Sequence, residues 1–360
     1  MQISRRDFLR GSLIAGGAFV LQASGTPERP PSVQDTYERE LPPPEGWEPA
    51  YMKLERAGEL APRVEEAYAH MERCDLCPRM CGVNRLRGEV GLCRAPQKVV
   101  VYSYQPHFGE EVPLVGRRGS GTIFFANCNL RCVFCQNWPI AHEGRGRQIE
   151  DTELADMMLA LQNAGCPNIN VVTPTHVMPH ILAATRIAAR KGLRIPLCYN
   201  TGGYEREEIV RLLDGVADIY LPDIKFMDAE QGRLYLGGAP DYPAHATAAV
   251  LEMHRQVGLV ETDDYGVALR GLMIRHLVMP NEVAGTREFI EWVADNLPRA
   301  TYVNIMAQYR VDHRAFEHPP IARAITREEF TEAIEHALQA GLSRLDARSL
   351  SNYEVFRRRG

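Results

Sequence analysis

Residues 121–137 read GTIFFANCNLRCVFCQN. Thr122-Ile123-Phe124-Phe125 is a short apolar run of the strand type, set off by Gly121 and Ala126-Asn127. Three cysteines follow, Cys128, Cys132 and Cys135, spaced C-x3-C-x2-C. An iron–sulfur cube takes about four thiolates, so three leave one iron open. An open metal position is where a substrate binds. A zinc site or unrelated buried thiols are the alternatives, and Phe134 with the flanking Gln136-Asn137 weighs against both.

Working outward, the chain has 360 residues, enough for one large domain with an appendage. Its composition is ordinary for a globular protein, 45% hydrophobic and 24% charged. A net charge of −5 gives no sign of a nucleic-acid surface. Of 9 cysteines, seven fall in two tight clusters, which argues for metal ligation rather than disulfides. Cys166 and Cys198 sit in apolar contexts and are expected in the core.

The other cluster is Cys74, Cys77, Cys81 and Cys93, spaced C-x2-C-x3-C-x11-C. Four thiolates close a tetrahedral zinc site or saturate a second 4Fe–4S cluster. Neither leaves an open position, so a structural or electron-relay role is expected. Four free thiols in a loop-rich segment are the remaining reading.

The N-terminus contains Ser4-Arg5-Arg6-Asp7-Phe8-Leu9, which resembles a twin-arginine export signal, and Leu13–Leu21 is too short for a confident membrane span. Residues 1–25 are read as this signal, 26–50 as a proline-rich linker and 51–118 as a helix plus the Cys-rich segment. The barrel is expected over 119–345 and a tail over 346–360. Export by the twin-arginine route is expected, with a cytoplasmic or membrane-associated protein as the alternative.

Apolar periodicity predicts one amphipathic helix from Ala50 to Met71 and a strand at Val99–Tyr104. Beyond Asn137 the pattern alternates. Strands are expected at Ile169–Val172, Ile195–Tyr199, Ala217–Leu221, Gly271–Met279 and Tyr302–Met306, with helices between them. With the strand before Cys128 this makes six strands in βα alternation, the pattern of a parallel sheet with right-handed crossovers. The expected fold class is α/β, a barrel or partial (β/α)6 TIM-like barrel with an N-terminal Cys-rich extension.

Polar residues gather at the expected strand ends: Asn200-Thr201, Asp223 and Lys225, Arg275, and Gln308. On a parallel barrel these face the rim that carries Cys128, Cys132 and Cys135. Singly each is an ordinary capping or ion-pairing group. Together they suit a charged ligand with amino, carboxylate and hydroxyl groups.

The C-x3-C-x2-C loop after a first strand resembles the signature of the radical S-adenosylmethionine (SAM) superfamily. More of the chain, about residues 65–345, resembles the PflX group of iron–sulfur proteins related to pyruvate formate-lyase activating enzyme. The matching stretches include Cys77-Pro-Arg-Met-Cys81-Gly-Val-Asn-Arg85, Tyr199-Asn-Thr-Gly-Gly-Tyr204, Ile219-Tyr-Leu-Pro-Asp-Ile-Lys225 and Arg275-His-Leu-Val-Met-Pro280. The resemblance implies a 4Fe–4S cluster on Cys128, Cys132 and Cys135 that binds and reductively cleaves SAM, giving a 5′-deoxyadenosyl radical for hydrogen abstraction. It assigns catalysis to the cluster and to no side chain. It implies SAM contacts at Asn200, Thr201, Asp223, Lys225, Arg275 and Gln308. Where the activating enzymes carry Gly-Gly-Glu, this chain has Thr173-Pro-Thr-His176, so Thr173 and Thr175 become the candidates for the SAM amino group. Asn200 stands where they carry Asp, which removes a charge and weakens cation binding. The implied partners are a reductant of flavodoxin or ferredoxin type and an unidentified substrate, with a glycyl radical enzyme among the candidates. A non-catalytic iron–sulfur electron carrier is the alternative.

Overall fold

The computed structural model describes residues 46–358. The twin-arginine stretch and all but the end of the linker lie outside them. No helix among the described residues is long and apolar enough to cross a membrane.

Nine strands form one sheet: β1 (Val99–His107), β2 (Ser120–Phe125), β3 (Arg147–Ile149), β4 (Ile169–Val172), β5 (Leu197–Thr201), β6 (Ile219–Pro222), β7 (Glu261–Thr262), β8 (Ala268–Leu277) and β9 (Tyr302–Met306). The six expected strands run parallel in the order β2-β4-β5-β6-β8-β9. Among the described residues β9 does not pair with β2, so the barrel is open, a partial (β/α)6 barrel. β1 pairs antiparallel with β2 and extends the sheet outward, with β3 at its far edge.

Alternation along each strand sorts side chains into two layers. One set faces the surrounding helices and forms the main core. The other faces the barrel interior. Its lower part is apolar, with Cys198, Ile219, Leu221, Met273 and Tyr302 packed together under Leu114. Two residues further along their strands stand Asn200, Asp223, Arg275 and Asn304. The interior is thus sealed at the bottom and polar above. Cys166 and Cys198 are both buried, one in each layer.

Two sequence expectations are corrected. The single helix over 50–71 is two helices, Ala50–Ala57 and Leu60–Ala69. Gly58 at φ 75° ends the first, returning its N–H to Glu55 and Leu54. Periodicity runs through the break because both helices pack on the helix Met178–Arg190. The expected tail contains a helix, Ala347–Arg358. Its first turn bridges the open side of the barrel. Ser349 Oγ donates to Asn304 Oδ1 at 3.0 Å, while Arg348 donates to the Phe108 carbonyl at 3.1 Å and also to that of Gly109. Its polar first turn carries no signal of its own; it is placed by the outer edge of β9, where Val303 N–H bonds the Arg344 carbonyl at 3.1 Å and Asp346 N–H bonds the Val303 carbonyl at 2.8 Å.

Candidate active site

The chain leaves β2 through two left-handed residues, Asn127 (φ 73°) and Arg131 (φ 59°), which wind Cys128–Cys135 into a compact loop. Asn127 N–H bonds the Ile140 carbonyl at 3.0 Å, and Leu130 N–H points at Cys128 Sγ at 3.4 Å. Phe134 anchors the loop edge-on to Phe226, with ring centroids 5.8 Å apart. Cys132 is buried, while Cys128 and Cys135 are half-buried. As free thiols, Cys132 and Cys135 are pushed up by burial, Cys135 to about 12. A bound metal has to displace those protons.

All three thiols line a cavity of about 570 Å³ that reaches into the barrel. Thr173 lines it from the end of β4, and its φ of 60° is unusual for a β-branched residue. Asn200 and Thr201 line it from β5, Asp223 and Lys225 from the end of β6, Arg275 from β8 and Gln308 from beyond β9. Thr175 does not line the cavity. It is buried, and its hydroxyl donates to Glu205 Oε1 at 2.6 Å. Thr201 donates to the same oxygen and its Oγ1 lies 3.4 Å from Thr175 Oγ1, so Thr175 meets the cavity only through Thr201 and their shared carboxylate. The expectation that Thr175 contacts a ligand directly is therefore corrected. After the left-handed residue Thr173 and the right-handed Pro174, a 3-10 turn begins at Thr175 and carries it off the rim.

The polar layer is one connected network. Arg275 Nε donates to Asp223 Oδ1 at 2.7 Å, and its guanidinium also donates to Asn200 Oδ1 at 2.6 Å. Lys225 binds the other oxygen of Asp223. Burial alone would raise the Asp223 carboxyl, but Arg275 and Lys225 outweigh it and hold it below the usual range. Glu110 lies 3.7 Å from Arg275 and 3.4 Å from His107, and these partners likewise overcome its burial. Glu111 accepts from Asn304 at 2.8 Å and is pushed up by burial.

His107, Glu110, Glu111, Asn304 and Arg348 also line the cavity and were absent from the candidates read in the sequence. The 107–111 stretch precedes the first barrel strand, and only the antiparallel turn between β1 and β2 brings it under the barrel. Asn304 was legible in principle: it sits at an inward position of β9, between Tyr302 and Met306.

Cys74, Cys77, Cys81 and Cys93 line a separate small cavity together with Arg85 and His176. Arg79, between the second and third of these cysteines, reaches the other loop. It donates to the carbonyls of Asn129 (3.0 Å), Leu236 (2.8 Å) and Gly238 (2.7 Å).

An open parallel barrel with three thiols at the end of its first strand, above a polar cavity, defines a class of cluster-bearing barrel proteins. Residues 122–259 match the Radical SAM superfamily. The chain is 32% identical over 285 residues to Uncharacterized protein MJ0674 of Methanocaldococcus jannaschii, covering 76% of this chain and 77% of that one. It is 24% identical over 271 residues to MJ0808 of the same organism, covering 69% and 73%. The chain belongs to the radical SAM superfamily, which implies a 4Fe–4S cluster and SAM. Among solved structures it is similar to Streptococcus suis SuiB bound to S-adenosylmethionine (TM-score 0.40, 12% identity), covering 59% of this chain and 44% of that one. It is also similar to methylornithine synthase (TM-score 0.39, 11% identity), covering 84% and 83%.

Proposed function

We propose that the protein is an enzyme of this superfamily that cleaves SAM reductively. The observation that carries this reading is the convergence of three thiols and a buried Asp223–Lys225–Arg275 network on one cavity. The donor set fits the implied groups: Cys128, Cys132 and Cys135 supply three thiolates, and among the described residues no fourth cysteine lines that cavity. When bound, the cluster and SAM supply a 5′-deoxyadenosyl radical that abstracts hydrogen from a substrate.

The chain's own residues bind, orient and shield. Asp223, kept ionised by Arg275 and Lys225, offers a fixed acceptor to hydroxyl or ammonium groups. Thr173, Asn200, Thr201 and Gln308 add neutral contacts around it. Thr175 supports Thr201 by sharing Glu205. Phe124, Leu277 and Met306 give the cavity apolar walls that exclude water from a reactive intermediate.

The substrate is proposed from resemblance alone: a glycyl radical enzyme, which would make this protein an activase. A flavodoxin- or ferredoxin-type reductant is the proposed donor. Export by the twin-arginine route is proposed from residues 1–25.

Anaerobically reconstituted protein given dithionite and SAM is expected to release 5′-deoxyadenosine, and Cys132→Ala to abolish the release. Wild type with an intact cluster and no SAM cleavage would sink the reading in favour of a non-catalytic electron carrier. An activase would also raise a glycyl radical signal in its partner enzyme.

A further inference from the structure

We propose that the end of the large cavity walled by Glu110 and Glu111 is the substrate subsite, and that it takes a primary ammonium group. This rests on the SAM-cleaving reading, which leaves the chemistry of the substrate open.

The two ends of the cavity are built from different parts of the chain. Cys128, Cys132 and Cys135 stand at one, on the loop after β2. The other is walled mostly from outside the six parallel strands. His107, Glu110 and Glu111 come from the segment leading out of β1, and Arg348 and Ser349 from the first turn of the C-terminal helix. Asn304 of β9 joins them, bonded to both Glu111 and Ser349. From Glu110 a line of charges runs through Arg275 and Asp223 to Lys225, so the ionic network separates this end from the thiols.

Acceptors outnumber donors at this end. Glu110 is 8% and Glu111 3% exposed. Glu111 Oε1 accepts from Asn304 Nδ2 at 2.8 Å, while its Oε2 is buried without a partner in the protein. Glu110 is held loosely, by His107 at 3.4 Å, Asn200 at 3.5 Å and Arg275 at 3.7 Å. Both cations of the network are committed to Asp223, Arg275 to one oxygen at 2.7 Å and Lys225 to the other. Arg348 is engaged by the carbonyls of Phe108 and Gly109. An anion would therefore meet two buried carboxylates and arginines already taken.

Three buried carboxylates, Asp223, Glu110 and Glu111, thus share Arg275 and Lys225. A buried carboxylate short of donors and counter-charge is destabilised, and burial accordingly pushes the Glu111 carboxyl up. A primary ammonium brings one positive charge and about three N–H donors, enough for Glu111 Oε2 with others left for Glu110. A hydroxyl group would bring a single donor and no charge.

The test is binding of n-butylammonium to anaerobically reconstituted full-length protein, read by calorimetry without reductant. It is expected to bind at least about tenfold more tightly than 1-butanol or butyrate, the strength of a hydrogen bond to a charged group. Glu111→Gln keeps the shape of the side chain and removes its charge, and should weaken the amine by about tenfold. Saturating SAM should leave the amine bound. Tighter binding of Nα-acetyl-lysine methylamide than of n-butylammonium assigns the group to a protein side chain, and the reverse order to a free amine. If Glu111→Gln does not fold by circular dichroism, the order of the probes and the SAM competition in wild type carry the test. No binding of n-butylammonium, equal binding of the amine, alcohol and acid, unchanged affinity in folded Glu111→Gln, or displacement of the amine by SAM overturns the proposal. No electron is supplied in any arm, so SAM cleavage can fail with the subsite intact, and the subsite can fail with SAM cleavage intact.

Discussion

Arg275 and Asp223 face each other across neighbouring strands, Nε to Oδ1 at 2.7 Å, inside the barrel. Removing one partner of a buried pair leaves an uncompensated charge. Asp223→Ala is therefore expected to destabilise the fold by about 3 kcal/mol or more, read by urea unfolding at pH 7. Asp223→Ala with Arg275→Met should cost less than the sum of the single changes. The Asp223 carboxyl is depressed in the fold, so its contribution is present above the ordinary carboxylate pKa. It is lost as pH falls through the folded value. An Asp223→Ala profile no flatter than wild type at low pH would contradict this.

Glu205 behaves oppositely. Burial raises its carboxyl to about 7, against the lowering donors Thr175 and Thr201. The unfolded chain then loses this proton near pH 4.5 while the native state keeps it. Stability falls between about pH 4.5 and about 7, by about 3 kcal/mol at most. Glu205→Gln keeps an acceptor for both threonines and should gain stability relative to wild type as pH rises through that window. Equal pH slopes for the two proteins would count against the assignment.

Gly203 follows Asn200-Thr201-Gly202 at φ 83°, and a Cβ there would lie 2.1 Å from the Asp223 carbonyl. Gly203→Ala adds left-handed strain of about 1–2 kcal/mol to a clash with backbone that Tyr242 also holds in place. We expect a loss of at least about 2 kcal/mol in thermal or urea unfolding, together with weaker SAM binding by calorimetry. Wild-type SAM affinity in the variant would show that this turn does not position Asp223.

Arg79 ties the two cysteine loops together through the Asn129 carbonyl and also holds the Leu236 and Gly238 carbonyls of a second segment. Lysine carries a point charge on a flexible stem and cannot reproduce the fork. Arg79→Lys should therefore lose iron during anaerobic gel filtration nearly as fast as Arg79→Ala. Retention at the wild-type rate would show the clamp to be dispensable.

The parallel strands were legible because each is an apolar run bounded by turn residues, and burial on both faces demands that pattern. Asn200, Thr201, Asp223, Lys225 and Arg275 were legible because a parallel barrel sends strand ends to one rim. Thr175 was misplaced because the sequence does not show that the chain turns left-handed at Thr173 and carries Thr175 away. Glu110 and Glu111 escaped because an antiparallel turn, invisible as periodicity, folds them under the barrel. The break at Gly58 was masked by an apolar stripe common to both helices.

The sequence by itself determined the thiol spacing, the βα alternation and hence a parallel barrel with its site at the strand ends, since local pattern and residue chemistry specify these. Tertiary structure alone decided that an ionic layer lies above the apolar barrel floor and that the C-terminal helix closes the open edge. It also placed a buried arginine and histidine beside the other four thiols. Those features rest on contacts between residues far apart in the chain, whose energies depend on burial, and burial is set only once the chain has folded.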